Sequence, residues 1–481
     1  MNMSTALNNA LGGLGAASRG AAVVSGNIAN ALTPGYAKRT LELTTNSISG
    51  NGVRVVGITR HQDPVLMANL RAATADNAAA SAISEFYSQF EALVGTPDDG
   101  RSIAVSLGAF ENSLITAASN PGSVERLDLA ARAAGDLVAD LNKASDGLSK
   151  MRSDADRTIG TYVETLNTTL KDIAALNAKI PAVENAGGDI NGLLDQRQVL
   201  IDQVNQLVPV NVVARDNNRV SLYSDGGLIL LEGSAAEFAF SVTGETKPHM
   251  TVGNGLLSGL ELNGRPVRTS GDSAQIRGGA LAAQFDIRDV LAIDAHEDLD
   301  AVARDLIERF ETAGMDPTAM PTDPGLFTDA GARFDATAPA GLASRLELNP
   351  IVDPDAGGES WKLRAGLGAV APNDPGEATQ LQAFGAVLTT ARPAPAFGTG
   401  TLRASEVSAA LLSKAGTAAH TAQSRQSYAS NAQLQMEQLV AEQGVDSDTE
   451  LQRMMQIEQA YAANARIITV VDELMDLLLR M

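Results

Sequence analysis

Four histidines, His61, His249, His296 and His420, are the first residues to weigh as metal ligands or general bases. They lie far apart, and none has a second histidine three or four residues on, the spacing that places two imidazoles on one helical face. They read as ordinary structural or surface side chains. The nearest approach to a nucleophile elbow is Gly271-Asp272-Ser273-Ala274-Gln275, which lacks the final glycine. Gly253-Asn254-Gly255 reads as a turn rather than a phosphate loop. Asp353-Pro354-Asp355-Ala356-Gly357 is loosely similar to a calcium loop, but the further ligands do not follow at the required spacing. The carboxylates Asp294, Glu297 and Asp298 fit an acidic helix face. Cysteine is absent, which removes disulfides, thiolate metal sites and cysteine nucleophiles. No catalytic constellation, cofactor or metal is therefore expected.

The elements themselves carry more information. Only 18 of the 481 residues are aromatic, while 44% are hydrophobic, mostly Ala, Leu and Val, a mixture that suits closely approaching helices. The net charge of −21 argues against binding a nucleic-acid backbone. No run of 18 apolar residues is present, and the N-terminus lacks the charged and apolar regions of a cleavable signal, so no membrane insertion is expected. On composition alone the chain reads as cytoplasmic. The charge is uneven. Residues 1–60 hold five basic side chains against Glu42, and residues 430–481 hold three arginines against nine carboxylates.

Apolar spacing marks both ends as amphipathic helices with narrow, coiled-coil-like seams. Near the start the stripe runs through Leu7, Leu11, Leu14, Val24, Ile28 and Leu32; near the end it runs through Leu451, Met454, Tyr461, Ile468, Val471, Met475 and Leu478. A narrow stripe cannot bury itself, so the two helices are expected to pair, basic flank against acidic flank. Asn27 and Asn30 are polar points near the first seam, read either as fixing its register or as capping the helix end before Thr33-Pro34. Asn464 is the polar point in the last helix.

The expected fold is mainly α with an inserted β domain: an elongated helical bundle, terminal coiled-coil helices and a small β-rich outer domain. The boundaries fall at 1–64 (N-terminal helix and extended segment, pairing with 444–481), 65–208 (first bundle part) and 209–275 (β domain). Beyond these lie 276–315 (bundle helix), 316–402 (Pro/Gly-rich mixed segment), 403–443 (bundle helix) and 444–481 (C-terminal helix). The longest periodic segment, from Val124 to Ile180, is expected to end at Pro181.

Ser25-Gly26-Asn27-Ile28-Ala29-Asn30 through Thr33-Pro34-Gly35-Tyr36 closely resembles the N-terminal signature of bacterial flagellar rod, hook and hook-associated proteins. Gln456-Ile457-Glu458-Gln459-Ala460-Tyr461 through Asn464-Ala465-Arg466 is similar to that family's other end. Between them, Asn191-Gly192 followed by Leu193, Leu194, Asp195, Gln196 and Arg197 resembles a motif of the FlgK (hook-associated protein 1) family.

The resemblance implies a structural axial subunit at the hook–filament junction, needed for filament attachment and swimming motility. It implies partners as well: copies of itself in a helical assembly, the flagellar hook protein, the second junction protein (hook-associated protein type 3), an export chaperone and the type III export apparatus. It also replaces the cytoplasmic reading with an extracellular one, reached without a cleaved signal. Tyr36 is expected to anchor the chain where it leaves the first helix. Two alternatives stand beside this one. The first is hook-associated protein type 3 or another axial protein. The second is an exported cell-wall hydrolase on an axial scaffold, which needs paired carboxylates in a cleft within 210–400.

Overall fold

The structure, a computed structural model, describes residues 3–46, 52–96, 100, 102–271 and 273–480, without the side chains of Asn46 and Leu478. Helix α1 (Met3–Ala29) leads to a hairpin of β1 (Arg39–Asn46) and β2 (Gly52–Arg60). Asp63 then caps α2 (Pro64–Val94), its Oδ1 accepting from the Val65 and Leu66 amides at 2.8 and 3.2 Å. Pro64 occupies the first helical position, where a missing N–H leaves no bond unmade. Helices α3 (Ile103–Ser119), α4 (Val124–Asn185) and α5 (Asn191–Leu207) follow.

Helix α4 runs four residues beyond Pro181. A proline this close to a helix end removes one hydrogen bond only, and the last turn closes through Gly188 donating to the Val183 carbonyl at 2.9 Å. The β residues expected over 209–275 form two separate antiparallel sheets. One holds β3 (Val210–Ala214), β4 (Val220–Ser224), β5 (Ile229–Glu232) and β6 (Ser234–Ala235). The other holds β7 (Phe238–Ala239), β8 (Leu260–Leu262) and β9 (Arg265–Val267). Within that span, His249–Val252 is a turn region. Helix α6 (Gly279–Asp286) passes through a π turn at Ile287–Leu291 into α7 (Ala292–Phe310).

The Pro/Gly-rich stretch holds short pieces: β10 (Phe327–Asp329), α8 (Leu342–Arg345), β11 (Leu346–Leu348), α9 (Lys362–Ala365), α10 (Thr379–Thr389), β12 (Arg392–Pro393) and β13 (Thr401–Leu402). Helices α11 (Ala404–Glu442) and α12 (Ser447–Leu479) complete the chain. It is thus mainly helical with small inserted sheets.

The elements gather into two compact units. The first comprises Met1–Asp76, Asn167–Ala236 and Ala429–Met481; the second comprises Asn77–Leu166 and Glu237–Tyr428. The second has a continuous apolar core centred on Phe110, Phe310, Phe327 and Phe384, whose ring centroids lie 5.2–6.2 Å apart in edge-on or tilted contacts.

Irregular segments of the second unit are held by buried arginines. Arg152 donates to the carbonyls of Arg288, Lys247 and Met250 at 2.8–2.9 Å. Arg309 donates to those of Val387, Thr390 and Leu402 at 2.6–2.9 Å. Arg288 pairs with Asp156 at 2.7 Å with both side chains fully buried, and its guanidinium lies 5.1 Å from the Phe285 ring centroid. A buried guanidinium needs its donors met: backbone carbonyls serve Arg152 and most of Arg309, while the Asp156 and Asp289 carboxylates and the Ser258 carbonyl serve Arg288.

His296 is buried nearby. Burial, aided by the positive charge of Arg152, pushes its pKa down to about 4. The unfolded chain takes up this proton near its ordinary pKa of about 6.5. Stability from the neutral ring is therefore complete above that value and is lost as the pH falls through it toward the folded value. The loss reaches up to about 1.4 kcal/mol per pH unit. Against His296→Gln, wild type is expected to lose about 2–3 kcal/mol of relative stability between neutral pH and the folded pKa, measured by urea unfolding. In a second test, Arg288→Met strands the Asp156 carboxylate and is expected to cost about 3–5 kcal/mol in the same assay.

Candidate functional site

Asn27, near the end of α1, is fully buried at 0% exposure. A buried amide is tolerated when its donors and acceptor are all paired. Its Nδ2 donates to the Arg39 carbonyl at 2.8 Å and to Glu450 Oε2 at 2.9 Å. Its Oδ1 accepts from the Tyr36 hydroxyl at 2.8 Å and from the Arg39 amide at 3.0 Å. One side chain thus ties together α1, the exit turn, the start of β1 and the first turn of α12. Glu450 is equally buried, with its other oxygen 3.5 Å from Lys38 Nζ. Asn30 acts differently: its Nδ2 donates back to the Gly26 carbonyl at 2.9 Å, a second bond to an acceptor that the Asn30 amide already meets at 3.1 Å. Asn27 thus reaches across to β1 and α12, while Asn30 bonds only within its own helix end and the turn that follows.

The turn between them is shaped for contact with α5. Gly35 has φ +77°, and a Cβ there would lie 2.4 Å from Val199 Cγ2, so both conformation and space exclude a side chain. Tyr36 stacks beneath the Arg39 guanidinium at 4.8 Å. Burial raises the pKa of its hydroxyl, and Arg39 partly opposes the shift.

From α5, Asp195 accepts from Arg39 Nη2 and Arg60 Nε, both at 2.8 Å. These arginines are paired residues at the open end of the hairpin, so one carboxylate grips both strands. Arg197, also buried, donates to Asn177 Oδ1 on α4 at 3.0 Å and to the Asn218 carbonyl in the β3–β4 turn. Burial, with Arg60 adding repulsion, lowers its pKa to about 10. Leu193 and Leu194 are half-buried and Gln196 is exposed. Arg71 on α2 extends the network to two further residues of α5: its guanidinium pairs with Asp202 at 2.8 Å, and its carbonyl accepts from Asn205 at 2.7 Å. Asp202 and Asn205 lie one or two turns beyond the motif on α5, a signal only a helical wheel of that segment would have exposed.

The terminal helices do pair, α1 lying along α12 and against the hairpin. The seam is displaced from the expected leucine stripe. On α1 the buried residues are Ala10, Ala16, Ala17, Gly20, Val24 and Asn27. A Cβ on Gly13 would come 2.7 Å from Asn464 Nδ2, and one on Gly20 would come 3.2 Å from Ile457 Cδ1. Such close approach needs small residues, so the bulkier stripe is rotated aside. Leu7, Leu14, Ile28, Met454 and Ile468 are half-buried, as is Asn464, and Val471 is buried. Leu11, Leu451, Tyr461 and Met475 are exposed, and Leu32 is 97% exposed. Leu478 falls outside the described side chains. The basic and acidic flanks do not zip together: among the described residues, Lys38–Glu450 is the one ion pair joining the two terminal segments, while Arg39 and Arg60 turn to Asp195.

The residues weighed for chemistry stay apart. His61 contacts Thr40 and His296 contacts Ser145 and Ser149, while Asp272 lies outside the described residues. Among the described residues, no three of His, Cys, Asp and Glu are grouped to hold a metal ion. No described helix is long and apolar enough to cross a membrane.

Two family models match, one described as the flagellar hook-associated protein FlgK helical domain over residues 74–321, the other as the flagellar basal body rod FlgEFG protein C-terminal region over 437–481. Both descriptions name flagellar structural proteins, and the first spans just over half of the chain. The chain belongs to the flagellar hook-associated protein FlgK family. It is 30% identical to flagellar hook-associated protein 1 of Escherichia coli (strain K12) over 259 residues, covering 52% of this chain and 47% of that protein. Its identity to the protein of the same name from Bacillus subtilis (strain 168) is 25%, over 94% of this chain and 92% of that one. The chain thus spans about half the length of the E. coli relative and nearly all of the B. subtilis relative. A solved FlgK structure, the flagellar hook junction protein from Burkholderia pseudomallei, aligns at a TM-score of 0.45 and 23% identity over 54% of this chain and 46% of that one.

Asn27→Ala removes four hydrogen bonds and leaves Glu450 Oε2 and the Tyr36 hydroxyl without this partner; it is expected to cost about 2–4 kcal/mol. Asp195→Asn leaves two half-buried arginines without their carboxylate. Amide exchange in β1 and β2 is expected to rise by about ten- to a hundredfold, with α3 and α7 unchanged.

Proposed function

We propose that this chain is a structural axial subunit of the bacterial flagellum that assembles with copies of itself at the distal end of the hook, forms the hook–filament junction and is needed for filament attachment and swimming. Family membership and the names of its relatives support this. The observation that carries it is the terminal helix pair. Its small-residue seam joins α1 to α12, yet Ile467, Val470, Leu474 and Leu477, spaced three and four apart on α12, remain exposed. A long apolar stripe left open after intramolecular pairing is a surface for further helices, and contacts that repeat without closing a small ring build filaments. In this reading Leu11, Leu32, Leu451, Tyr461 and Met475 face neighbouring subunits.

The same reading places the protein outside the cell, exported through the type III apparatus without a cleaved signal and held beforehand by an export chaperone. Its axial neighbours are the hook protein on one side and hook-associated protein type 3 on the other. The absence of cysteine and the burial of arginines against carbonyls suit a chain that must fold after export with no disulfide to help.

The test is a chromosomal Val470→Glu/Leu474→Lys variant beside a deletion strain. Both are expected to keep hooks, release flagellin into the medium and lose swimming. The purified variant is expected to retain the wild-type melting temperature, as these side chains are exposed. Normal filaments in the deletion strain would sink the junction role; normal filaments in the variant alone would sink the role of the stripe.

A further inference from the structure

A groove of about 800 Å³ opens in the second unit between α2, α11 and the Pro395–Phe397 turn. The rings of Tyr87 and Phe397 line it, together with Ile83 and Ala418. Two cations stand in its wall. Lys414 is held by Asp298 at 2.7 Å, whereas Arg425 is exposed and makes no ion pair among the described residues. Arg425 lies close enough to Tyr87 to oppose, in part, the rise that burial and the Asp294 charge give its hydroxyl pKa.

The same unit carries a projection of the opposite character, built from the loop after Phe310 and the loop after α9. Asp316 latches the two together. Its Oδ2 accepts from the Leu367 amide at 2.5 Å, and its Oδ1 accepts from the Thr318 amide and hydroxyl at 2.9 and 2.7 Å. The Thr318 hydroxyl in turn accepts from the Gly368 amide at 3.1 Å, and the Thr318 carbonyl leaves no room for a Cβ at Gly368. This clamp holds Met320 and Val370 out to solvent, 70% and 100% exposed. Around them Asp316, Asp323 and Asp374 have no cation partner among the described residues.

None of these loop residues lines the groove of its own chain. Asp298, which holds Lys414 in the groove wall, precedes Phe310 by twelve residues of α7, roughly 18 Å of helix, and the projection begins only beyond Phe310. We infer that the projection of one copy seats in the groove of the next. The two surfaces complement each other in shape and in charge. A dry cavity of about 150 Å³ holds benzene, so the groove has room for both apolar side chains. Methionine adapts to an irregular surface, and its sulfur favours aromatic edges such as those of Tyr87 and Phe397. The unpaired Arg425 meets the acidic flank of the projection. Because two different surfaces meet, the contact is heterologous and repeats from copy to copy. It rests on the axial reading above, and adds to the α12 stripe a contact made by the second unit.

The chain has no cysteine, so a pair of introduced thiols reports this contact alone. In a Met320→Cys/Thr421→Cys variant, mild oxidation of purified flagella is expected to give a ladder of dimers and higher multimers of this chain on immunoblots. Each single variant is expected to stay monomeric. Both side chains are exposed, so all three variants are expected to keep the wild-type melting temperature. Adding Arg425→Glu to the double variant is expected to cut the cross-linked yield about tenfold. Should the double variant fail to assemble, co-expression of the two single variants, expected to give dimers and nothing larger, decides the matter. The proposal is overturned by any of three results: paired thiols present in the flagella with only monomer recovered, cross-linking of a single variant with itself, or an unchanged yield with Arg425→Glu. Absence of the wild-type chain from purified flagella overturns the axial reading itself, and the contact with it.

Discussion

The joint of the first unit depends on the side-chain amide of Asn27. A primary amide has two donors and one oxygen with two lone pairs, and here all four valences are met, by groups from three residues, Tyr36, Arg39 and Glu450. That completeness is a geometric constraint. The Glu450 carboxylate must arrive within hydrogen-bond distance, so α12 must begin at one height along α1. The Arg39 amide and carbonyl must both present themselves, so β1 must start at one place after the turn. A leucine seam tolerates sliding by a turn; a buried amide with named partners does not.

The other features of this joint serve that constraint. Gly35 lets the chain double back tightly enough for Tyr36 to reach Asn27, and the same glycine admits Val199 of α5. Asp195 then holds the open end of the hairpin through Arg39 and Arg60, while Arg197, two residues on, holds α4 and the β3–β4 turn. Consecutive residues of a helix point in different directions, so a short motif on α5 can grip two neighbours at once. The alanines and glycines of α1 complete the arrangement by letting α12 lie close enough for Glu450 to be buried.

Much of this was visible in the sequence, and the misses have physical reasons. Helical periodicity located α1, α4, α7 and α12, because 3.6-residue spacing is a local property. The signatures at both ends and on α5 marked the residues that meet, but spacing could not say that Asp195 lies beside Arg39 and Arg60, which are 156 and 135 residues away. The choice of seam failed for a different reason. Leucines look like the buried stripe because burial usually follows bulk, whereas the distance between α1 and α12 selects for small side chains. Charge likewise misled. The basic start and acidic end suggested mutual attraction, but an ion pair needs geometry, and the exit turn aims Arg39 at α5. Long-range pairing also decided the fate of the β residues, since where a short strand finds its neighbour is not written in its own alternation.

The buried arginines of the second unit have a consequence for how this protein can change. Arg152 and Arg309 hold turns and the ends of short elements by their carbonyl oxygens, and every residue type carries the same carbonyl. The grip is therefore blind to which side chains the loops display. Substitutions along 247–250 or 387–402 can accumulate on the outward side while the backbone stays clamped. The cost of that freedom falls on a few guanidinium groups, whose loss would release a whole loop at once. A surface built this way can drift in appearance and remain the same shape underneath.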